Sequence, residues 1–106
     1  MPSILAVDDS PSMRQMVNLT LRSAGHDVVS AVDGVDGLSK ASSGAPVDLV
    51  ITDVNMPNMD GISLLKEVKK HPSYKFTPII MLTTEAEEDK KREGQAAGAK
   101  AWVVKP

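Results

Sequence analysis

Five short apolar runs, separated by longer polar or amphipathic stretches, restrict the architectures open to this chain. The runs are Ile4-Leu5-Ala6-Val7, Val28-Val29-Ser30-Ala31, Leu49-Val50-Ile51, Ile79-Ile80-Met81-Leu82 and Trp102-Val103-Val104. The first, third and fourth are continuous rather than alternating, as in strands buried on both faces of a parallel sheet. Strand-helix-strand alternation at this spacing predicts a doubly wound α/β fold. With 106 residues, 42% of them hydrophobic, the chain is expected to form one domain over 1–106 with a modest core.

The segments between the runs carry helix signals of unequal strength. Ser12 and Gln15 have the spacing of a capping box. After them Met13, Met16, Val17, Leu21 and Ala24 share one face, and Gly25 is a stop signal. A second helix, about Val35–Ala41, is weakened by Gly37. A third is expected from Asp60 to about Lys70, with Ile62, Leu65 and Val68 on one face and Pro72 beyond its end. The fourth, Glu85 to Gly98, offers only Ala86, Ala96 and Ala97 for packing and contains Gly94. It is expected to be marginal or mobile, because packing of an apolar face supplies most helix stability. His71 to Thr77 is expected to be an irregular loop, and His26 and His71 are expected at the surface.

Composition removes several function classes. A net charge of −2 leaves no basic excess for a phosphate backbone, and three aromatic residues, Tyr74, Phe76 and Trp102, make no base-stacking platform. Nucleic acid is therefore not an expected partner. No apolar run approaches the roughly 20 residues of a membrane span, and Met1-Pro2-Ser3 leads into the first run without a signal-peptide pattern. The absence of cysteine removes disulfides and thiolate metal sites. A cytoplasmic protein with no membrane partner is the expectation.

In an open parallel sheet, ligands bind beyond the carboxyl ends of the strands. The residues there are Asp8-Asp9 after the first run, Asp53 after the third, Thr83-Thr84 after the fourth and Lys105-Pro106 after the fifth. Three carboxylates, a hydroxyl and an ammonium thus converge on one edge. The carboxylates would repel one another, and a divalent cation resolves the conflict. Hard oxygen ligands suit magnesium, which is typically held by one or two carboxylates plus a phosphate. Asp53 has the chemistry of a nucleophile that forms an acyl phosphate. Thr83 can hydrogen-bond a phosphoryl oxygen, and Lys105 can neutralise its charge. Each residue alone has a plainer reading as a turn, a strand end or a solvated lysine. Their coincidence at the ends of the correct strands favours the shared site. Met56, Met59 and Met81 are read as packing residues, and Lys90-Lys91-Arg92 as a solvated helix face.

Several stretches resemble the receiver domains of two-component response regulators, in particular the single-domain chemotaxis type. They are Val7-Asp8-Asp9-Ser10, Met13-Arg14, Asp33-Gly34-Val35-Asp36-Gly37, Asp53 to Gly61, Thr83-Thr84-Glu85-Ala86, Gly98-Ala99 and Val103-Val104-Lys105-Pro106. The resemblance spans the whole chain, and the stretch from Asp53 to Gly61 is the most specific part. It implies a flavodoxin-like five-stranded parallel sheet of order 2-1-3-4-5. By position, Asp53 is the phospho-acceptor, supplied by a histidine kinase. Asp9 and Asp53 are metal ligands through their carboxylates, Asn55 is one through its backbone carbonyl, and Asp8 assists through water. Thr83 and Lys105 are phosphoryl contacts. Trp102 matches the aromatic position coupled to Thr83 on activation. Asn55 and Glu85 occupy the variable positions that tune hydrolysis, which implies a short-lived phosphoaspartate. The resemblance also implies a cis Lys105–Pro106 bond, expected here to be heterogeneous, and a fifth helix after it.

The sequence as given ends at Pro106, so four helices are expected, with part of strands one and five left bare. Either a further segment or a second copy, by dimerisation or exchange of elements, would cover that face. Lys91 and Arg92 stand where the family tends to place aliphatic residues, so the downstream target is left open. Two other readings compete. One is an aspartate-nucleophile phosphatase, which the absence of a cap insertion disfavours. The other is a non-phosphorylated, flavodoxin-like interaction module, which Asp8-Asp9 disfavours in place of a phosphate-cradling glycine turn.

Overall fold

The computed structural model describes residues 2–43, 46–84 and 88–104. In chain order the elements are β1 (Ser3–Val7), α1 (Pro11–Ser23), β2 (Asp27–Ala31), α2 (Gly34–Ser43), β3 (Leu49–Thr52), α3 (Gly61–Lys69), a 3-10 turn (Pro72–Tyr74), β4 (Ile79–Thr83), α4 (Glu88–Ala96) and β5 (Ala101–Val104). All four ladders are parallel and the strand order is β2-β1-β3-β4-β5. This is the doubly wound order that the resemblance implies, and its switch point lies between β1 and β3.

The two faces of the sheet are unequally covered. Leu5, Val7, Val50, Ile79 and Met81 are fully enclosed with Ile62, Leu64, Leu65 and Val68 of α3. On the alternate face Ile51, Ile80 and Leu82 are only half-buried. The continuous apolar runs therefore do not mean equal burial on both faces here. Among the described helices, α1 packs on β1 and β2, whereas α2, α3 and α4 pack in a row. Contrary to expectation β1 is not bare: Ile4 and Ala6 are buried, and α1 packs against the strand. β5 does show open apolar surface, at Val103 and Val104, and the exposed apolar residues of α1 include Met16 and Leu19, 57% and 68% exposed.

Local signals explain most boundaries. Ser10, rather than Ser12, caps α1: its Oγ accepts the Met13 N–H at 3.3 Å. Pro11 then takes the first helical position, which its fixed φ favours, so no Ser12–Gln15 capping box forms. Gly25 ends that helix region with φ 91°. α2 begins at Gly34 because Asp33 caps it, its Oδ1 accepting the Asp36 N–H at 2.8 Å. Asp60 caps α3 in the same way, through the Ser63 N–H at 2.7 Å.

The stretch after α3 is more ordered than an irregular loop. Tyr74 is buried and donates its hydroxyl to the Ala41 carbonyl at 2.9 Å. Lys69 Nζ donates to the carbonyls of Tyr74, Lys75 and Thr77, and partial burial pushes that ammonium below its ordinary pKa. His71 is exposed, but His26 is not a free surface residue: its Nδ1 is enclosed without a hydrogen-bond partner among the described residues.

α4 spans Glu88–Ala96, and Gly94 is its only buried residue. Glu85 and Ala86, where the helix was expected to begin, lie outside the described residues. Gly94 is more than a weak helix former. A Cβ there would stand 2.8 Å from Trp102 Cζ3, so the missing side chain makes the seat on which the indole rests.

Candidate acidic phosphoryl site

The carboxyl edge of β1 and β3 holds the acidic residues. The ladder pairs Val7 with Thr52 and continues through the Asp53 N–H to the Val7 carbonyl at 2.9 Å. Asp8 is tied to the other side through its N–H and the Ala31 carbonyl at 3.2 Å. Both side chains thus leave the sheet at adjacent strand ends. One carboxylate oxygen from each of Asp8, Asp9 and Asp53 lies within 4.8 Å of the other two. Asp8 and Asp53 are 7% and 8% exposed, and Asp9 is open to solvent.

The donor set fits a magnesium ion. Two oxygens bound to one ion at about 2.0–2.1 Å are separated by at most roughly 4.2 Å. A spread of up to 4.8 Å therefore suits two direct carboxylate ligands and a third acting through water. Backbone N–H groups already orient the two buried acids. Asp8 Oδ1 accepts the Ser10 N–H at 2.9 Å, and Asp53 Oδ1 accepts the Val54 N–H at 2.7 Å. A partly open space of about 10 Å³, lined among others by Val7, Asp8, Arg14, Thr52 and Asp53, has room for about one water.

The other residues expected at the site occupy different environments. Thr83 ends β4 and is fully enclosed, whereas Thr84 is exposed. Asn55 is exposed on the loop after Asp53. Lys105 and Glu85 lie outside the described residues. Trp102 pairs across the ladder with Met81 and packs on the core, while Thr83 pairs with Val104.

The loop from Val54 to Asp60 is closely fitted. Gly61 N–H donates to the Val54 carbonyl at 2.8 Å. A Cβ on Gly61 would overlap the Asp53 carbonyl oxygen and stand 2.9 Å from its carbon, so only glycine lets α3 start this close to Asp53. On the far side Gly34 allows the Met59 backbone the same approach: its Cβ would be 2.7 Å from Met59 Cβ.

Sequence reasoning missed two contributors. Arg14 Nη1 donates to the Asp8 carbonyl at 2.7 Å, placing a permanent cation beside the acidic cluster. Its signal was available, since six residues after Asp8 in the first turn of α1 the side chain can reach back to the strand end. Asp33 Oδ2 accepts the Asn58 amide at 2.7 Å. The Asp36 N–H, then Asn58, hold the Asp33 carboxyl below the ordinary value of 3.8. No local pattern announces that pairing, because the partners are far apart in sequence.

Residues 4–106 match the response regulator receiver domain family. The chain is 39% identical over 104 residues to chemotaxis protein CheY1 of Helicobacter pylori, covering 97% of this chain and 84% of that protein. The structure superposes on chemotaxis response regulator CheY4 of Vibrio cholerae with TM-score 0.93 and 54% identity, covering 100% of this chain and 88% of that one. It is also similar to response regulator TrrA of Thermotoga maritima, solved in complex with magnesium and BeF, with TM-score 0.87 and 34% identity over 100% of this chain and 88% of that one. The chain belongs to the response regulator receiver family and is of the CheY type, a family of two-component signalling and chemotaxis whose members are phosphorylated on an aspartate. Receiver domains of this family generally bind magnesium.

Proposed function

We propose that Asp53 is the phospho-acceptor of this receiver and that Asp8, Asp9, Asp53 and the Asn55 carbonyl form its magnesium site. The observation that carries this is the convergence of three carboxylates at the β1 and β3 ends, two of them buried and oriented by backbone N–H groups. A buried acidic cluster is unfavourable unless a cation joins it. Magnesium supplies the positive charge that lets an anionic phosphate enter.

The chain's own residues do the rest. Val54 N–H holds Asp53 Oδ1 and so fixes the rotation of the carboxylate. A carboxylate oxygen forms a bond to the incoming phosphorus as the donor P–N bond of a phosphohistidine breaks. The electron pair stays on the imidazole nitrogen, which takes up a proton. Thr83 and Lys105 are the groups for the phosphoryl oxygens. Water attack on phosphorus then returns Asp53 as a carboxylate and releases inorganic phosphate. The partner is a histidine kinase, and the protein acts on no separate substrate.

The test is incubation with magnesium and a small acyl phosphate, read by intact mass. One phosphoryl adduct, roughly 80 Da, is expected, and Asp53→Asn should lack it. No adduct on the wild-type protein would refute the assignment, and steady turnover of unrelated phosphate esters would point to a phosphatase instead.

A further inference from the structure

We propose that Asp33 is a positioning residue for the acceptor site: through Asn58 its carboxylate holds the β3–α3 loop and so sets where the Asn55 carbonyl stands. The inference rests on the reading above, in which that carbonyl is a metal ligand.

The loop contains an unusual turn. Asn58 has φ 69°, the left-handed region that residues other than glycine seldom enter. Around it the Met59 N–H donates to the Pro57 carbonyl at 2.8 Å. A hydrogen bond between residues two apart across a positive φ is the tight γ-turn of the rare, strained kind. Such strain persists only where the surroundings over-determine it, and it concentrates at functional sites.

Asp33 provides the surrounding constraint. It uses both carboxylate oxygens: Oδ1 caps α2 through the Asp36 N–H at 2.8 Å, and Oδ2 takes the Asn58 amide at 2.7 Å. Charge-assisted bonds of this length are stronger than neutral ones. Asp36 is fixed in turn by accepting the Val32 N–H at 3.0 Å and pairing with Lys40 at 3.2 Å. Beside the side-chain bond, Gly34 meets the Met59 backbone directly. The β2–α2 turn thus grips the loop at the strained residue and at the residue that follows it. A requirement for positive φ alone would be met by glycine at no steric cost. Asparagine adds the amide that reaches Asp33.

The grip is transmitted to Asn55 over a short path. The root of the loop is fixed by Gly61 N–H on the Val54 carbonyl. Asn55 is the next residue, and Pro57, with φ locked by its ring, joins it to the clamped turn. With root and far arm both held, little freedom is left for the carbonyl between them. Releasing Asn58 lets the strained turn relax and moves that carbonyl.

The experiment measures magnesium affinity by calorimetry on Asn58→Gly, Asp33→Ser and the exchanged pair Asp33→Asn/Asn58→Asp. Asn58→Gly keeps the positive φ and loses only the amide. Asp33→Ser keeps a helix-capping hydroxyl but is too short to reach Asn58. Both single variants should bind magnesium about 3- to 10-fold more weakly, below the 10- to 100-fold typical of partners that touch a ligand directly. The exchanged pair has a donor and an acceptor in reversed order and should recover to within about twofold of wild type. In the metal-free proteins, amide resonances of residues 54–59 should shift or broaden in the singles and return in the pair. Unchanged affinity and unchanged amides in Asn58→Gly, with only the melting temperature altered, would overturn the proposal, as would an exchanged pair as weak as the singles. A wild-type protein that binds no magnesium would instead overturn the metal-site reading beneath it.

Discussion

Gly61 joins fold to chemistry at a single Cα, and Gly61→Ala measures how tightly. The new Cβ would overlap the Asp53 carbonyl oxygen and stand 2.9 Å from its carbon and 3.1 Å from Val54 Cα. Carbon–carbon contacts settle near 3.5–4.0 Å, so α3 and the end of β3 must separate by roughly an ångström. The neighbours are backbone atoms and cannot swing aside. Overpacking of this kind costs about 1–3 kcal/mol. Stretching the 2.8 Å bond from Gly61 N–H to the Val54 carbonyl adds about 0.5–1.5 kcal/mol. The expected loss is therefore about 1.5–4.5 kcal/mol, a large share of the roughly 5–15 kcal/mol of a typical domain.

Gly37→Ala is the control. Its Cβ would meet only side-chain methyls, Val7 Cγ2 at 3.0 Å and Leu64 Cδ2 at 3.2 Å. A helix-interior glycine also gains up to about 1 kcal/mol on becoming alanine. Urea melts should show Gly37→Ala within about 1 kcal/mol of wild type and Gly61→Ala well below it. Because the displaced carbonyl belongs to the proposed acceptor, the phosphorylation rate of folded Gly61→Ala should fall by up to about 100-fold. A Gly61→Ala protein as stable and as fast as wild type would refute the close-approach argument.

Magnesium at about ten times its dissociation constant should stabilise the fold by about 1.4 kcal/mol and raise Tm by roughly 6 °C, and a chelator should reverse it; no shift would speak against the site. In chelator, Asp9→Asn should melt higher than wild type, because two charges about 5 Å apart in a solvent-rich setting repel by roughly 1 kcal/mol; a lower Tm would contradict that repulsion. Gly94→Ala must move the indole from its seat, so Trp102 emission should change even where helix propensity improves stability, and an identical spectrum would deny the contact. The Asp33 carboxyl should titrate below 3.8 by NMR. A depressed acid stabilises the fold above its unfolded value, and that contribution disappears as pH falls through the folded value. Asn58→Gly should raise this pKa only in part, since the Asp36 N–H remains; no rise at all would remove Asn58 as a cause.

The sheet was legible because its signals are local and repeated: five apolar runs became five strands in the implied order. The acidic residues were legible because strand ends in this architecture converge by topology, so Asp8, Asp9 and Asp53 needed no distance information to be grouped. Capping was read two residues late at α1, because Ser10 and Ser12 are equivalent as letters and Pro11 decides between them through its fixed φ. The unequal burial of the two sheet faces was not legible, since Ile51 and Val50 are alike in hydrophobicity and differ only in which helices lie above them. Gly94 was misread as a defect because a helix pattern carries no record of the Trp102 ring that fills its place. The Asp33–Asn58 bond depends on two turns meeting in space, which no periodicity encodes.

If the phosphoryl group resides on Asp53, chemical trapping of the acyl phosphate will find it there. Borohydride reduction of the freshly phosphorylated protein converts a phosphorylated aspartate to homoserine, and peptide mapping then locates it. Homoserine is expected at position 53 alone, dependent on magnesium. Homoserine at position 8 or 9, or a phosphoryl adduct that leaves none, would contradict the assignment to Asp53.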